Sequence, residues 1–288
     1  MKSWPFSSFI RTLDPKLTNN PKLESSLHED NRLYVYHLPP PVIYHYASLG
    51  TSKAIVEGQQ LKLSSPKTFN DPFDMNPSQV SFKATAKEVK AYQERIKTSL
   101  YNSINREAKR RLIREMANPA NANEYQKLNT EQMYNEVGVC CFSKLNDQPL
   151  MWSHYAEKHY GICLGFSIQP LYQTQNLFFS VSEVQYVSEI RPLNYYKDIE
   201  ELMPYLINTK SKVWEYEQEV RAVIDNRQGF DLFPFERDCL KEIYFGCRVS
   251  KEERTAFIKL VNEHKYNIST YRKMIIDFKT FNVKAVKL

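Results

Sequence analysis

Trp214-Glu215-Tyr216-Glu217-Gln218-Glu219-Val220-Arg221-Ala222-Val223-Ile224 is the stretch on which the reading of this chain turns. Its residues alternate between apolar and polar. In a β-strand successive side chains point to opposite faces, so residues 215–224 are expected to form a half-buried strand. Val220, Ala222 and Ile224 then share the core face. Glu217, Glu219 and Arg221 share the other, with Trp214 and Tyr216 on the apolar side. Two carboxylates and a guanidinium lined up on one strand have two explanations. They are either a solvated, ion-paired face or the floor of a cleft in which neighbours tune one carboxylate.

Further strands are expected at VIYHYAS (42–48), QLKLSSP (60–66), GVCCFS (138–143), GICLGFS (161–167), VSEVQYV (181–187) and EIYFGC (242–247). KMIIDF and VKAVKL close the chain as two more. β-branched and aromatic content, bounded by turn formers, is the signal in each. A short helix through SKAIVEG has Thr51 or Ser52 as its cap and Gly58 at its C-terminal end. The clearest helix spans 83–117. Val89, Tyr92, Ile96, Leu100, Ile104, Ala108, Leu112 and Met116 recur at steps of three and four and define one face. LMWSHYAEKH supplies one or two helical turns, and residues 196–212, with Pro204, look helical. Ser250 with Glu253 forms a capping box before a last helix. Strands and helices in no strict alternation imply an α+β fold. The expectation is a mixed, mostly antiparallel sheet core around a cleft, with flanking helices. Residues 1–40, polar and broken by prolines, read as an arm. Residues 41–288 read as one domain with a basic helical insertion at about 83–118.

Composition narrows the function. The chain has 288 residues and only 7 glycines. It contains neither G-x-G-x-x-G nor a phosphate-binding P-loop, which argues against a Rossmann or P-loop enzyme. Five cysteines, Cys140, Cys141, Cys163, Cys239 and Cys247, show no C-x-x-C spacing. They read as reduced core thiols of a cytoplasmic protein, and no metal site is expected from His and Cys spacing. No apolar run reaches the roughly 20 residues of a membrane helix. Net charge is +6, but residues 83–114 carry ten basic residues against three acidic ones, or +7. The basic charge is therefore concentrated on that segment. Its Lys109, Arg110, Arg111 and Arg114 are candidates for contact with nucleic acid, the alternative being a solvated helix face.

Three more stretches bear chemistry. In Tyr44-His45-Tyr46 the histidine points away from both tyrosines. Trp152-Ser153-His154-Tyr155, followed by His159-Tyr160-Gly161, suits either a pocket that stacks a planar ring or core packing. Phe69-Asn70-Asp71-Pro72-Phe73-Asp74 is a rigid turn or a loop that accepts hydrogen bonds from a ribose.

Taken in order, Y-H-Y, S-S-P-x-x-F-N-D-P-F-D, C-F-S…L-M-W-S-H-Y-A…H-x-G-I-C-L-G-F, W-x-Y-E-x-E-x-R and I-Y-F-G-C-R resemble a bacterial family catalogued as domain of unknown function 2971. The series covers about residues 42–250. The family supplies no activity. The order of a His on the first strand, an aromatic-rich centre and a Glu on a late strand is also similar to the ADP-ribosyltransferase superfamily, although the long basic helix departs from that superfamily's compact core. That resemblance implies an ADP-ribosyltransferase-like fold and NAD as substrate. His45 would bind the nicotinamide-side ribose and Tyr155 would stack on nicotinamide. Glu219, or else Glu217, would stabilise the oxocarbenium ion. Arg221 would orient Glu219 or bind phosphate, and Tyr46, Asn70, Asp71, Trp152 and His154 would complete the cofactor pocket. Two other classes stay open. One is a metal-dependent nuclease using Asp71, Asp74, Glu217 and Glu219. The other is a non-catalytic module that binds nucleic acid or protein. The sequence leaves the oligomeric state open.

Overall fold

The computed structural model describes residues 40–96, 99–167, 178–226, 229 and 231–288. The expected arm at 1–40 lies outside them apart from residue 40. In chain order the chain forms β1 (Val42–Ala47), α1 (Leu49–Gly58), β2 (Gln60–Lys62), β3 (Val80–Ser81), α2 (Ala86–Ile96), α3 (Ser99–Ser103), α4 (Arg106–Met116) and α5 (Ala122–Glu136). It continues with β4 (Val137–Ser143), α6 (Pro149–Tyr155), β5 (Ile162–Ser167), β6 (Phe178–Glu183), β7 (Gln185–Val187), β8 (Leu193–Asn194), α7 (Ile199–Asn208), β9 (Thr209–Ser211) and β10 (Glu219–Asp225). It ends with β11 (Leu232–Pro234), β12 (Leu240–Phe245), α8 (Lys251–Glu263), β13 (Thr270–Asp277) and β14 (Asn282–Lys287). Eight strands build one mixed sheet in the order β14-β13-β12-β5-β1-β4-β10-β6. Only β12 and β13 run parallel in it. The architecture is therefore α+β with a mostly antiparallel sheet, as the sequence implies. The four strands that carry the polar signatures, β5, β1, β4 and β10, are neighbours at its centre.

Strand alternation gives the sheet two faces of different character. Ile43, Phe142, Leu164, Val220 and Ile243 lie on one face and pack against Ile55 and Val56 of α1 and Phe257 and Val261 of α8. Each fully buried side chain of this kind stabilises the fold by about 1.5–3 kcal/mol. The other face carries two separate apolar clusters. Val139 and Val223 meet Val89 and Tyr92 of α2, Met133 of α5 and Leu202 and Met203 of α7. Tyr46, Cys163 and Tyr244 meet Met151 and Trp152 of α6. The polar ends of β4 and β10 fall along the seam between these two clusters.

β1 and β4 are in register at one pair, Tyr44 opposite Ser143, whereas β1 follows β5 over six. Beyond Tyr44 the two strands are not paired. His45 Nδ1, 3.0 Å from the Cys141 carbonyl oxygen, takes the place of the missing ladder bond. The sheet thus opens beside Cys141, which is exposed although it belongs to a central strand.

Local chemistry explains where the elements differ from the sequence reading. The helix expected over 83–117 is three helices. The Asn105 side chain accepts a hydrogen bond from Ala108 N and starts α4 afresh. α5 went unread because only Ala122 and Met133 of its residues are buried. α1 is capped by Ser48, not Thr51 or Ser52, through a bond from Thr51 N. The capping box at Ser250 and Glu253 is present on α8. Gly246 is required by close approach, since a Cβ there would lie 2.1 Å from the His159 carbonyl oxygen.

Candidate functional site

The decisive stretch folds differently from a single strand. Residues 212–217 form a 3-10 helix, Gln218 takes a left-handed conformation (φ 44°), and β10 begins at Glu219. Trp214 and Tyr216 are therefore half-buried at the rim instead of in the core. The kink does not separate the two carboxylates. Both Glu217 and Glu219 turn onto the ammonium of Lys210, the middle residue of β9, at 2.5 and 2.9 Å. Asp74, from the loop before β3, is 3.5 Å from the same nitrogen. Arg221, fully buried, donates from Nε and Nη2 to the two oxygens of Glu219 at 2.8 and 3.0 Å. Its Nη2 also donates to Asp74 Oδ2 at 2.6 Å, and its Nη1 donates to the Ile207 carbonyl oxygen at 2.8 Å.

Three carboxylates against two cations give this buried cluster a net charge of −1. It is neither a solvated face nor a loose cleft floor, because all five side chains are at most 5 % exposed. Burial alone would raise the Glu219 carboxyl, but Arg221 and then Lys210 more than offset it and hold its pKa at about 2. Burial pulls the Lys210 ammonium down while Glu219 pulls it up further, so the net shift is upward. Glu219 is therefore a fixed negative charge at every physiological pH. The buried Asp74 Oδ1 has no hydrogen-bond partner among the described residues.

Two features connect the cluster to solvent. The half-buried Tyr155, at the end of α6, donates from its hydroxyl to Glu217 Oε1 at 2.6 Å. That hydroxyl receives a bond from Asn70 Nδ2 at 3.3 Å, and Asn70 is exposed. The exposed His154 ring lies 6.2 Å from Tyr155 and 6.3 Å from Tyr216, and Phe73 of the same loop as Asn70 is 65 % exposed. On the other side the exposed Cys141 sits between β1 and β10, paired with Arg221. The strand side chains packed around it and the Glu219 charge together raise its thiol pKa above the ordinary range. It stays a neutral surface at the opening between the strands.

Not every expected residue comes to this place. Tyr155, Glu217, Glu219 and Arg221 do, and Asn70 and His154 stand at the rim. His45 does not. It pairs with Leu164 on the face opposite Glu219, and its ring packs 5.7 Å from Phe142. Alternation along β1 sends it there, so the His-Tyr-Glu set implied by the superfamily resemblance is not assembled. Burial lowers its pKa. Tyr46 donates to the Leu145 carbonyl oxygen and packs edge-on to Trp152, whose indole donates to the Asn146 carbonyl oxygen. Both are core residues. Asp71 accepts from Phe73 N at 2.9 Å and shapes the turn. Of the carboxylates considered for a metal, Asp74, Glu217 and Glu219 converge, but the Lys210 ammonium fills the point where they meet. Among the described residues no group of three or more His, Cys, Asp or Glu has the geometry to hold a metal ion.

Lys210 is the member that sequence reasoning missed. Thr209-Lys210-Ser211 is a three-residue strand with no apolar alternation to mark it. Tyr186 was also missed; its hydroxyl accepts from Glu219 N at 2.8 Å.

The family model described as "Protein of unknown function (DUF2971)" matches residues 151–222, the segment from α6 to the middle of β10. This meets the resemblance read from the ordered motifs. No curated protein matches the chain. Two solved structures are similar to it. One is Thermus sp. 2.9 DarT in complex with NAD+, with 12% identity, a TM-score of 0.36, and coverage of 82% of this chain and 96% of that one. The other is Thermus sp. 2.9 DarT in complex with ADP-ribosylated ssDNA, with 13% identity and the same TM-score and coverage. Among the described residues no helix is long and apolar enough to cross a membrane.

Proposed function

We propose that this chain is an NAD-consuming transferase that moves an ADP-ribosyl group to nucleic acid or protein, with Glu219 as the catalytic carboxylate. The observation that carries this reading is the net-negative, buried and hydrogen-bonded charge cluster at the seam of the sheet, next to the opening at Cys141 and beneath the aromatic rim of Tyr155, His154 and Tyr216. Cleavage of the bond between nicotinamide nitrogen and ribose C1′ sends the electron pair to the departing nicotinamide. Positive charge then develops at C1′. A carboxylate ionised down to a pKa of about 2 opposes that charge without reorganising. Nicotinamide is already a good leaving group, so positioning and electrostatics suffice.

The other residues have supporting roles in this reading. Arg221 and Lys210 are positioning residues that fix Glu219 from two sides. Glu217 holds the Tyr155 hydroxyl, which sets the ring as a platform for the planar nicotinamide. The unpartnered Asp74 Oδ1 suits a hydroxyl donor such as a ribose. His45 has no role here, because it faces the opposite side of the sheet. The test is release of nicotinamide from NAD by the purified chain, together with the thermal shift on adding NAD. Turnover and a saturable rise in Tm support the proposal. No shift and no nicotinamide at millimolar NAD would overturn it.

A further inference from the structure

The α2–α4 insertion concentrates positive charge, and the structure sorts its cations into engaged and free. The Lys109 ammonium lies 4.7 Å over the Tyr101 ring, and Arg111 pairs with Glu115 at 3.8 Å. Arg106, Arg110 and Arg114 are exposed, and among the described residues none of them is in an ion pair. They are four residues apart on α4, so they form one stripe with a spacing of about 6 Å along the helix axis. Together with Glu107 and Ile113 the stripe borders a shallow, solvent-open groove along this one helix. No residue of α4 is buried, so the whole outer side of the helix is available.

We infer that this groove binds the phosphate backbone of a nucleic acid through Arg106, Arg110 and Arg114. The inference rests on the transferase reading only in naming the acceptor class. The binding itself follows from charge complementarity. Three guanidiniums in a row, with one acid among the lining side chains, match a polymer that carries one negative charge per residue. Arg forks onto phosphate oxygens with two parallel hydrogen bonds, which a run of lysines does not provide. Compared with the set read from sequence, Arg106 joins the contact surface, and Lys109 and Arg111 leave it.

The experiment is fluorescence anisotropy with labelled single-stranded DNA, duplex DNA and single-stranded RNA of mixed sequence, over a salt series. The native chain is compared with Arg106→Gln/Arg110→Gln/Arg114→Gln and with Lys251→Gln/Lys259→Gln/Lys265→Gln on and after α8. Each phosphate contact contributes about 0.7 to the salt slope on a single strand and about 0.9 on a duplex. The arginine variant should therefore lose about two to three units of slope and at least tenfold in affinity, while the lysine variant keeps both. Arg106→Lys/Arg110→Lys/Arg114→Lys should retain the slope and lose affinity, which separates charge from loss of fold. Equal affinity and slope for native chain and arginine variant would overturn the inference. So would tight binding to polyglutamate without any binding to nucleic acid. Nicotinamide release without an acceptor should be the same in both variants, so failure of binding and failure of the NAD reading are told apart.

Discussion

Replacing Lys210 with Met removes the ammonium but keeps the length of the side chain. The cluster goes from −1 to −2, with Arg221 left to balance Asp74, Glu217 and Glu219. At an effective dielectric of about 20, the attraction between Lys210 and Glu219 at 2.9 Å is about 6 kcal/mol. The cost of desolvating the ammonium offsets several kcal/mol of that. Loss of one partner from a buried charge cluster typically costs about 3–5 kcal/mol. For a domain of this size that is a fall in Tm of about 6–20 °C. The pH dependence gives a sharper signature. In the native chain Glu219 has a depressed pKa, so its contribution is intact above about 4.5 and is lost as pH falls toward about 2. In Lys210→Met the carboxylates are less well compensated and take protons at higher pH, which relieves the repulsion. The stability gap between the two proteins should narrow as pH drops from 7 toward 5. Urea denaturation at both pH values is the assay. A gap within about 1 kcal/mol at pH 7, or one that widens on acidification, would refute the picture of a buried cluster centred on Lys210.

Two further outcomes follow from the same geometry. Cys141→Phe places a large ring in the opening between β1 and β4. It should weaken NAD binding at least tenfold by calorimetry with little change in Tm, because the position is exposed; unchanged affinity would move the ligand elsewhere. The native chain should lose stability on acidification between about pH 4.5 and 2, where the unfolded Glu219 binds a proton and the folded one does not. A Glu219→Gln variant should show a shallower acid transition, and an identical acid profile would mean that Glu219 is not held by Arg221 and Lys210.

Much of the fold was legible because alternation and capping are local signals. β1, β4, β5 and β12 were read nearly at their true bounds, since each has an apolar face packed against α1 and α8. The capping box at Ser250 was legible for the same reason. The site was legible in composition but not in conformation. Glu217, Glu219 and Arg221 were singled out by alternation, yet the alternation of 215–218 is not strand; a left-handed Gln218 interrupts it, and nothing in the residue order signals that. Lys210 and Asp74 join the cluster through tertiary packing, 136 positions apart in the chain. His45 shows the reverse. Its opposition to Tyr44 and Tyr46 was evident from the strand period. Pairing through Ser143 puts Tyr44, and not His45, on the face of Glu219. The order of residue types that resembles the ADP-ribosyltransferase set therefore did not carry their geometry with it.

The most direct test of Glu219 as the catalytic carboxylate is nicotinamide release from NAD by the native chain, Glu219→Gln and Glu217→Gln, with Tm measured on each. Loss of an electrostatic contribution of this kind is worth about 2.7–4 kcal/mol, or about a hundred- to a thousand-fold in rate. Glu219→Gln should lose that much turnover, measured well below its own Tm, which should itself fall because the amide nitrogen then faces a donor of Arg221 or Lys210. Glu217→Gln should lose less, because it acts through Tyr155. Full turnover in Glu219→Gln, or no turnover in the native chain, would contradict the assignment.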